Sequence, residues 1–107
     1  MSPMKPEIKV SVAADDDIIY HTITDSKLTD DYSIKGTVTN SQSDTENINI
    51  HYQLFDADGK FLWSDYATIE RVAANATQDF SIATTIPVSI LNDRKPASLK
   101  CTAVSYR

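Results

Sequence analysis

The stretch Glu46 to Tyr66, ENINIHYQLFDADGKFLWSDY, constrains the fold more than any other, because two alternating runs flank one compact turn. Ile48, Ile50, Tyr52 and Leu54 recur at every second position with Asn49, His51 and Gln53 between them. That is the period of a strand with one buried face. Asp56-Ala57-Asp58-Gly59 suits a type I turn closed by a glycine in the left-handed region, where a side chain would clash. The stretch is read as a β-hairpin. With Asp56 facing Lys60, the register pairs Phe55 with Phe61, Leu54 with Leu62, Gln53 with Trp63, Tyr52 with Ser64, His51 with Asp65 and Ile50 with Tyr66. It puts Ile48, Ile50, Tyr52, Leu54, Leu62 and Tyr66 on the core face, and Phe55, Phe61, Trp63, His51 and Asp65 on the other.

Strand signals continue on both sides. Ile8, Val10 and Val12 alternate with Lys9 and Ser11 and stop at Asp15-Asp16-Asp17, a run that repels itself. Ile18 to Thr24 is rich in β-branched and aromatic residues, and Asp25 to Asp31 reads as a polar connection. Tyr32 to Asn40 alternates with Ile34, Gly36 and Val38 on one side, and Val38 joins Ile50 and Leu54 as expected core. The return strand of the hairpin is expected from Lys60 to about Glu70, with a loop over Arg71 to Thr77. Phe80, Ile82, Thr84 and Ile86 form the next alternation, ended by Pro87; Val88 to Leu91 suits a helical turn. Ser98 to Arg107 closes the chain as a strand with Leu99, Cys101 and Ala103 on one face. About seven short strands at roughly ten-residue spacing form the pattern of an all-β, immunoglobulin-like or fibronectin-like antiparallel sandwich, with a small barrel as the alternative. Residues 1–7, broken by Pro3 and Pro6, are read as an N-terminal arm, and 8–107 as one domain.

Charge narrows the choice of partners. Fifteen acidic residues against ten scattered basic ones leave a net charge of −5, which disfavours nucleic acid and anionic membrane surfaces. No apolar run approaches the roughly 20 residues that span a bilayer, so no membrane insertion is expected. The one cysteine, Cys101, cannot form an internal bridge and reads as a small buried hydrophobe.

Chemical motifs are sparse, and no cofactor or metal is expected. Asp56, Asp58 and Gly59 have the look of a calcium loop, but its twelfth position would be Ala67 where a glutamate is needed, and a turn explains them. Asp15 to Asp17 and Asp30-Asp31 flank one strand and should lie at its opposite ends, which suits solvated turns. His21 and His51 lack the spacing of a zinc site, and His51 opposite Asp65 reads as a cross-strand polar pair. No GxSxG elbow is present; a hydrolase would need a pocket joining His21 or His51 to a serine and a carboxylate. Asn75-Ala76-Thr77 is a glycosylation sequon in form.

Tyr52-Gln53-Leu54-Phe55-Asp56, with Ala57-Asp58-Gly59-Lys60 after it and Gly36-Thr37-Val38-Thr39-Asn40 before it, resembles the signature of the bacterial and archaeal FxLYD domain family. Phe80 falls where a later strand of that family carries an aromatic, so the resemblance spans roughly 32–86. Tyr52 stands for the family's phenylalanine, Phe55 for its tyrosine, and the loop at Ala73 to Ala76 lacks the usual proline or glycine. The resemblance implies a bacterial, immunoglobulin-like β-sandwich module, commonly exported and attached to other envelope proteins, with no catalytic residues to carry over. The expected function is therefore a non-catalytic spacer or protein-interaction module, extracellular or in the cell envelope, within a larger protein. The alternative is glycan or peptide binding by Phe55, Phe61 and Trp63, with His51, Asp65 and Gln53 giving polar direction.

Overall fold

The computed structural model describes residues 17–106. The elements in chain order are strands β1 (Ile18–Leu28), β2 (Ser33–Thr39), β3 (Glu46–Phe55), β4 (Phe61–Val72) and β5 (Thr77–Ala83), a single helical turn α1 (Val88–Leu91), and strand β6 (Ser98–Tyr106). The expected strand at Ile8 to Val12 and the arm at 1–7 lie outside the described residues. The six strands form one antiparallel sheet in the order β4-β3-β6-β1-β2-β5.

Strand β1 changes partner midway. Ile18 to His21 pairs with Tyr106 to Ala103 of β6, and Thr22 to Leu28 pairs with Thr39 to Ile34 of β2. A bulge between Thr24 and Lys27, with Asp25 at φ 57°, bends the strand where it crosses over. The sequence reading ended this strand at Thr24; the bulge lets it run on through Asp25 to Lys27, all exposed, to Leu28. The sheet curls until its two edge strands, β4 and β5, approach each other.

The curl encloses a single core. Val38, Ile50 and Leu54 are fully buried as expected, together with Ile34, Ile48 and Val72, and Tyr52 is 2 % exposed. Phe80, Ile82 and Ile86 add the β5 side, and Ala103 the β6 side. Cys101 is half-buried against this cluster, and burial pushes its thiol up to about 11. Gly36 pairs directly with Phe80, and the ring lies so close that a Cβ on Gly36 would stand 2.8 Å from it and 3.2 Å from the Ser26 backbone. Glycine is required there by the approach of a ring and a neighbouring bulge.

The turn of the hairpin forms as read. The Gly59 N–H donates to the Asp56 carbonyl at 2.9 Å, the Asp56 N–H to the Lys60 carbonyl at 2.9 Å, and Gly59 sits at φ 82°. Phe55 faces Phe61 as expected, but a bulge then shifts the ladder: Leu54 faces Trp63, Gln53 faces Ser64, Tyr52 faces Asp65, His51 faces Tyr66 and Ile50 faces Ala67. One extra residue in β4 exchanges the faces of everything after Leu62. Trp63 and Asp65 thus lie on the inner side and Tyr66 on the outer one, the reverse of the sequence register. A second irregularity between Glu46 and Ile48, where Arg71 adopts φ 58°, extends β4 to Val72 and shortens the following loop.

Candidate functional site

The outer face of β4-β3-β6-β1 is assembled by cross-strand pairing. Successive rows run Phe61-Phe55-Ser98, Ser64-Gln53-Lys100, Tyr66-His51-Thr102, Thr68-Asn49-Val104-Tyr20 and Tyr106-Ile18. None of these paired positions is a carboxylate, in a chain whose net charge is −5. The aromatic rings stand towards the margins, with Tyr20 62 %, Phe61 53 %, Tyr66 55 % and Tyr106 54 % exposed. Phe55 and Phe61 meet edge to face at 6.3 Å, and the Lys100 ammonium lies 5.6 Å from the Phe55 ring centre. His51 stacks on Tyr66 at 5.1 Å with 26° between the ring planes. A shallow depression of about 460 Å³ is lined by His51, Gln53, Ser64, Tyr66, Lys100 and Thr102, together with Tyr52 and Asp65, whose side chains are bound to Thr85.

Of the six residues selected from sequence, Phe55, Phe61, His51 and Gln53 share this face, and Trp63 and Asp65 do not. Trp63 is half-buried against the core. Its indole N–H donates to Thr85 Oγ1 at 2.9 Å, and the same hydroxyl donates to Asp65 Oδ2 at 2.5 Å. Tyr52 Oη lies 3.2 Å from Thr85 Oγ1 and accepts from the Thr85 N–H at 3.0 Å. Thr85 thereby ties β3, β4 and the segment after β5 together. Its hydroxyl, and then the Tyr66 N–H, hold the Asp65 carboxyl below the usual carboxylate range. The expected pairing of His51 with Asp65 is replaced by the His51–Tyr66 stack. Tyr66, Lys100 and Thr102 were missed, Tyr66 because the bulge reversed its side and the other two because β6 pairs with β3 across a long sequence separation.

His21 meets two serines. His21 Nε2 lies 2.8 Å from Ser105 Oγ, while Nδ1 accepts from the Ser41 backbone N–H at 3.0 Å. A ring whose Nδ1 accepts carries its proton on Nε2 and donates it to Ser105. A general base beside a serine nucleophile needs the opposite tautomer, and Ser105 is only 1 % exposed, so this pair is a structural clasp between β1, β6 and the loop after β2. Desolvation lowers the His21 pKa, against a smaller upward pull from Glu46.

Two polar anchors shape the ends of the sheet. Asp56 Oδ1 accepts from the Asp58 and Lys60 N–H groups, each at 2.9 Å, and Oδ2 pairs with the Arg94 guanidinium. The Lys60 N–H first, and then Arg94, hold the Asp56 carboxyl below its ordinary range. Turn hydrogen bonds and an ion pair therefore account for Asp56. At the other end Asn40, 1 % exposed, donates from Nδ2 to the carbonyls of Asp44, Val72 and Ala73 at 2.9, 3.0 and 3.2 Å, and accepts from the Gln42 N–H at 2.9 Å.

Among the described residues no group of three or more His, Cys, Asp or Glu side chains is placed to hold a metal ion, and no helix is long and apolar enough to cross a membrane. Comparison with protein-family models, with curated proteins and with solved structures finds no match to this chain.

Proposed function

We propose that this chain is a non-catalytic β-module of an extracellular or cell-envelope protein, and that the outer face of β4-β3-β6-β1 is its contact surface. The observation that carries the reading is the absence of carboxylates from every paired position of that face in an acidic chain. Glu70 follows Thr68 on the exposed side of β4, beyond the paired rows; within those rows the missing carboxylates and the marginal aromatics have the character of a contact surface, which loses charge and gains aromatics. The proposal includes the FxLYD resemblance and an immunoglobulin-like sandwich, with β4-β3-β6 and β2-β5 as layers and β1 shared between them. One core drawn from both groups of strands supports that arrangement.

Lysine acetylation with a membrane-impermeant reagent tests both halves of the proposal. In intact cells making the protein, exposed Lys35, Lys60 and Lys95 should be labelled and Lys100 protected, while in the purified chain all four should react. Equal labelling of Lys100 in both would show that the face is bare and the module only a spacer. No labelling of any lysine in intact cells would remove the envelope location.

A further inference from the structure

We propose that the outer face of β4-β3-β6 binds an acidic glycan, a sugar chain carrying hexuronate carboxylates; this rests on the contact-face reading above. The arrangement of the face separates a sugar from a protein as occupant. Protein interfaces place apolar side chains at the centre and polar ones at the rim. Here the order is inverted. The two central rows are Ser64-Gln53-Lys100 and Tyr66-His51-Thr102, while Phe55 and Phe61 stand at one end and Tyr20 and Tyr106 towards the other.

Those central rows offer the functional groups that a sugar needs. The side chains of Gln53, Ser64, Lys100 and Thr102 make no hydrogen bond or ion pair to another described residue, so an amide, two hydroxyls and an ammonium line the depression unpaired by the described residues. They contrast with Asn49 in the next row, whose Oδ1 already accepts from Thr68 Oγ1 at 2.6 Å. Tyr66, stacked on His51, supplies a braced ring 55 % exposed, against which the apolar C–H face of a pyranose can lie. The depression of about 460 Å³ falls in the range of small-ligand sites, and its residues come from three neighbouring strands, β3, β4 and β6.

The charge of the ligand follows from Lys100. It is the one Lys or Arg among the paired positions of the face and is held beside Phe55, and the one carboxylate residue lining the depression, Asp65, already accepts from the Thr85 hydroxyl. A hexuronate carboxylate is the complementary group, placed by a charge-assisted hydrogen bond while its hydroxyls meet Gln53, Ser64 and Thr102. The depression over the β1-β2-β5 half makes the comparison internal to the molecule. Its charges alternate, Asp25 with Lys27 and Lys35 with Asp79, and leave no net field for an anion.

The test is a titration of the whole chain with a hexamer of α-1,4-linked galacturonate, followed by backbone amide NMR shifts. Expected are shifts confined to β3, β4 and β6 around Gln53, Tyr66 and Thr102, with affinity falling at least about fivefold on Lys100→Gln or on methyl esterification of the hexamer. Tyr66→Ala should weaken binding as well, and Lys95→Gln should leave it unchanged. Absence of shifts at millimolar hexamer, shifts centred on Lys27 and Lys35, or equal binding of polyglutamate would each overturn the proposal. Should the hexamer fail to bind while Lys100 stays protected in cells, the glycan assignment falls and the contact face stands. Should Lys100 also react freely in cells, both fall.

Discussion

Asn40→Ala should cost the domain about 3 kcal/mol, although it removes only a short polar side chain from the end of a strand. The amide is 1 % exposed and joins three carbonyls and one N–H from two loops. Truncation leaves the carbonyl of fully buried Val72 and the N–H of half-buried Gln42 without a partner, whereas the carbonyls of exposed Asp44 and Ala73 can turn to water. Two orphaned groups at roughly 1–3 kcal/mol each give that total, once partial rescue by water is allowed for. At about 4–8 °C per kcal/mol for a domain of this size, the melting midpoint should fall by roughly 12–24 °C. Asn40→Asp separates hydrogen bonding from volume. It keeps the acceptor for Gln42 but turns a second oxygen toward three carbonyls, so it should be worse than alanine at pH 7. Its buried carboxyl would have a raised pKa, and part of the loss should return on acidification as an O–H donor is restored. Urea denaturation followed by Trp63 fluorescence measures all of this. An Asn40→Ala midpoint within about 1 kcal/mol of the parent would show that the loops do not depend on the amide.

Gly36→Ala should destabilise by about 1–3 kcal/mol, because the new methyl meets the Phe80 ring at 2.8 Å and the less yielding Ser26 backbone at 3.2 Å; thermal melts check it, and an unchanged midpoint would place the ring elsewhere. Thr85→Val should cost about 1–2 kcal/mol by removing the hydroxyl shared by Trp63, Tyr52 and Asp65, with Thr85→Ser close to the parent. In Thr85→Val the Asp65 carboxyl should titrate nearer its ordinary range by side-chain NMR. The lowered pKa of His21 means that the unfolded chain binds the proton more readily, so its contribution is complete above the unfolded value of about 6.5 and is lost as pH falls below it. His21→Gln should flatten the corresponding slope of stability between pH 7 and 5, and an unaltered slope would assign it to other groups.

Legibility from sequence followed the range of the forces involved. The hairpin turn, the inward rows of β2, β3 and β5 and the helical turn α1 depend on neighbours a few residues apart, and period and turn chemistry revealed them. The bulge after Phe61 did not show, because no glycine marks it; its one trace is the adjacency of Leu62 and Trp63, two apolar residues where strict alternation allows one. That single residue moved Trp63 and Asp65 off the candidate face and brought Tyr66 onto it. Lys100 and Thr102 joined the face through pairing of β6 with β3, a contact between residues some fifty positions apart that periodicity cannot report. Asn40 was visible as part of a strand motif, but its carbonyl partners at Val72 and Ala73 come from the far end of β4.

The pairing of Ile18 with Tyr106 sets how the sheet meets mechanical load. Tension entering at the start of β1 and leaving at the end of β6 acts on two adjacent antiparallel strands at the same end of their ladder. It peels the pairs Ile18–Tyr106, Ile19–Ser105, Tyr20–Val104 and His21–Ala103 apart in succession and does not shear them together. Once the fourth pair parts, β6 hangs from β3 alone and β1 from β2, and the sheet opens along its middle. A sheet pulled from these two positions therefore yields in small steps, one pair at a time, because Ile18 and Tyr106 lie side by side.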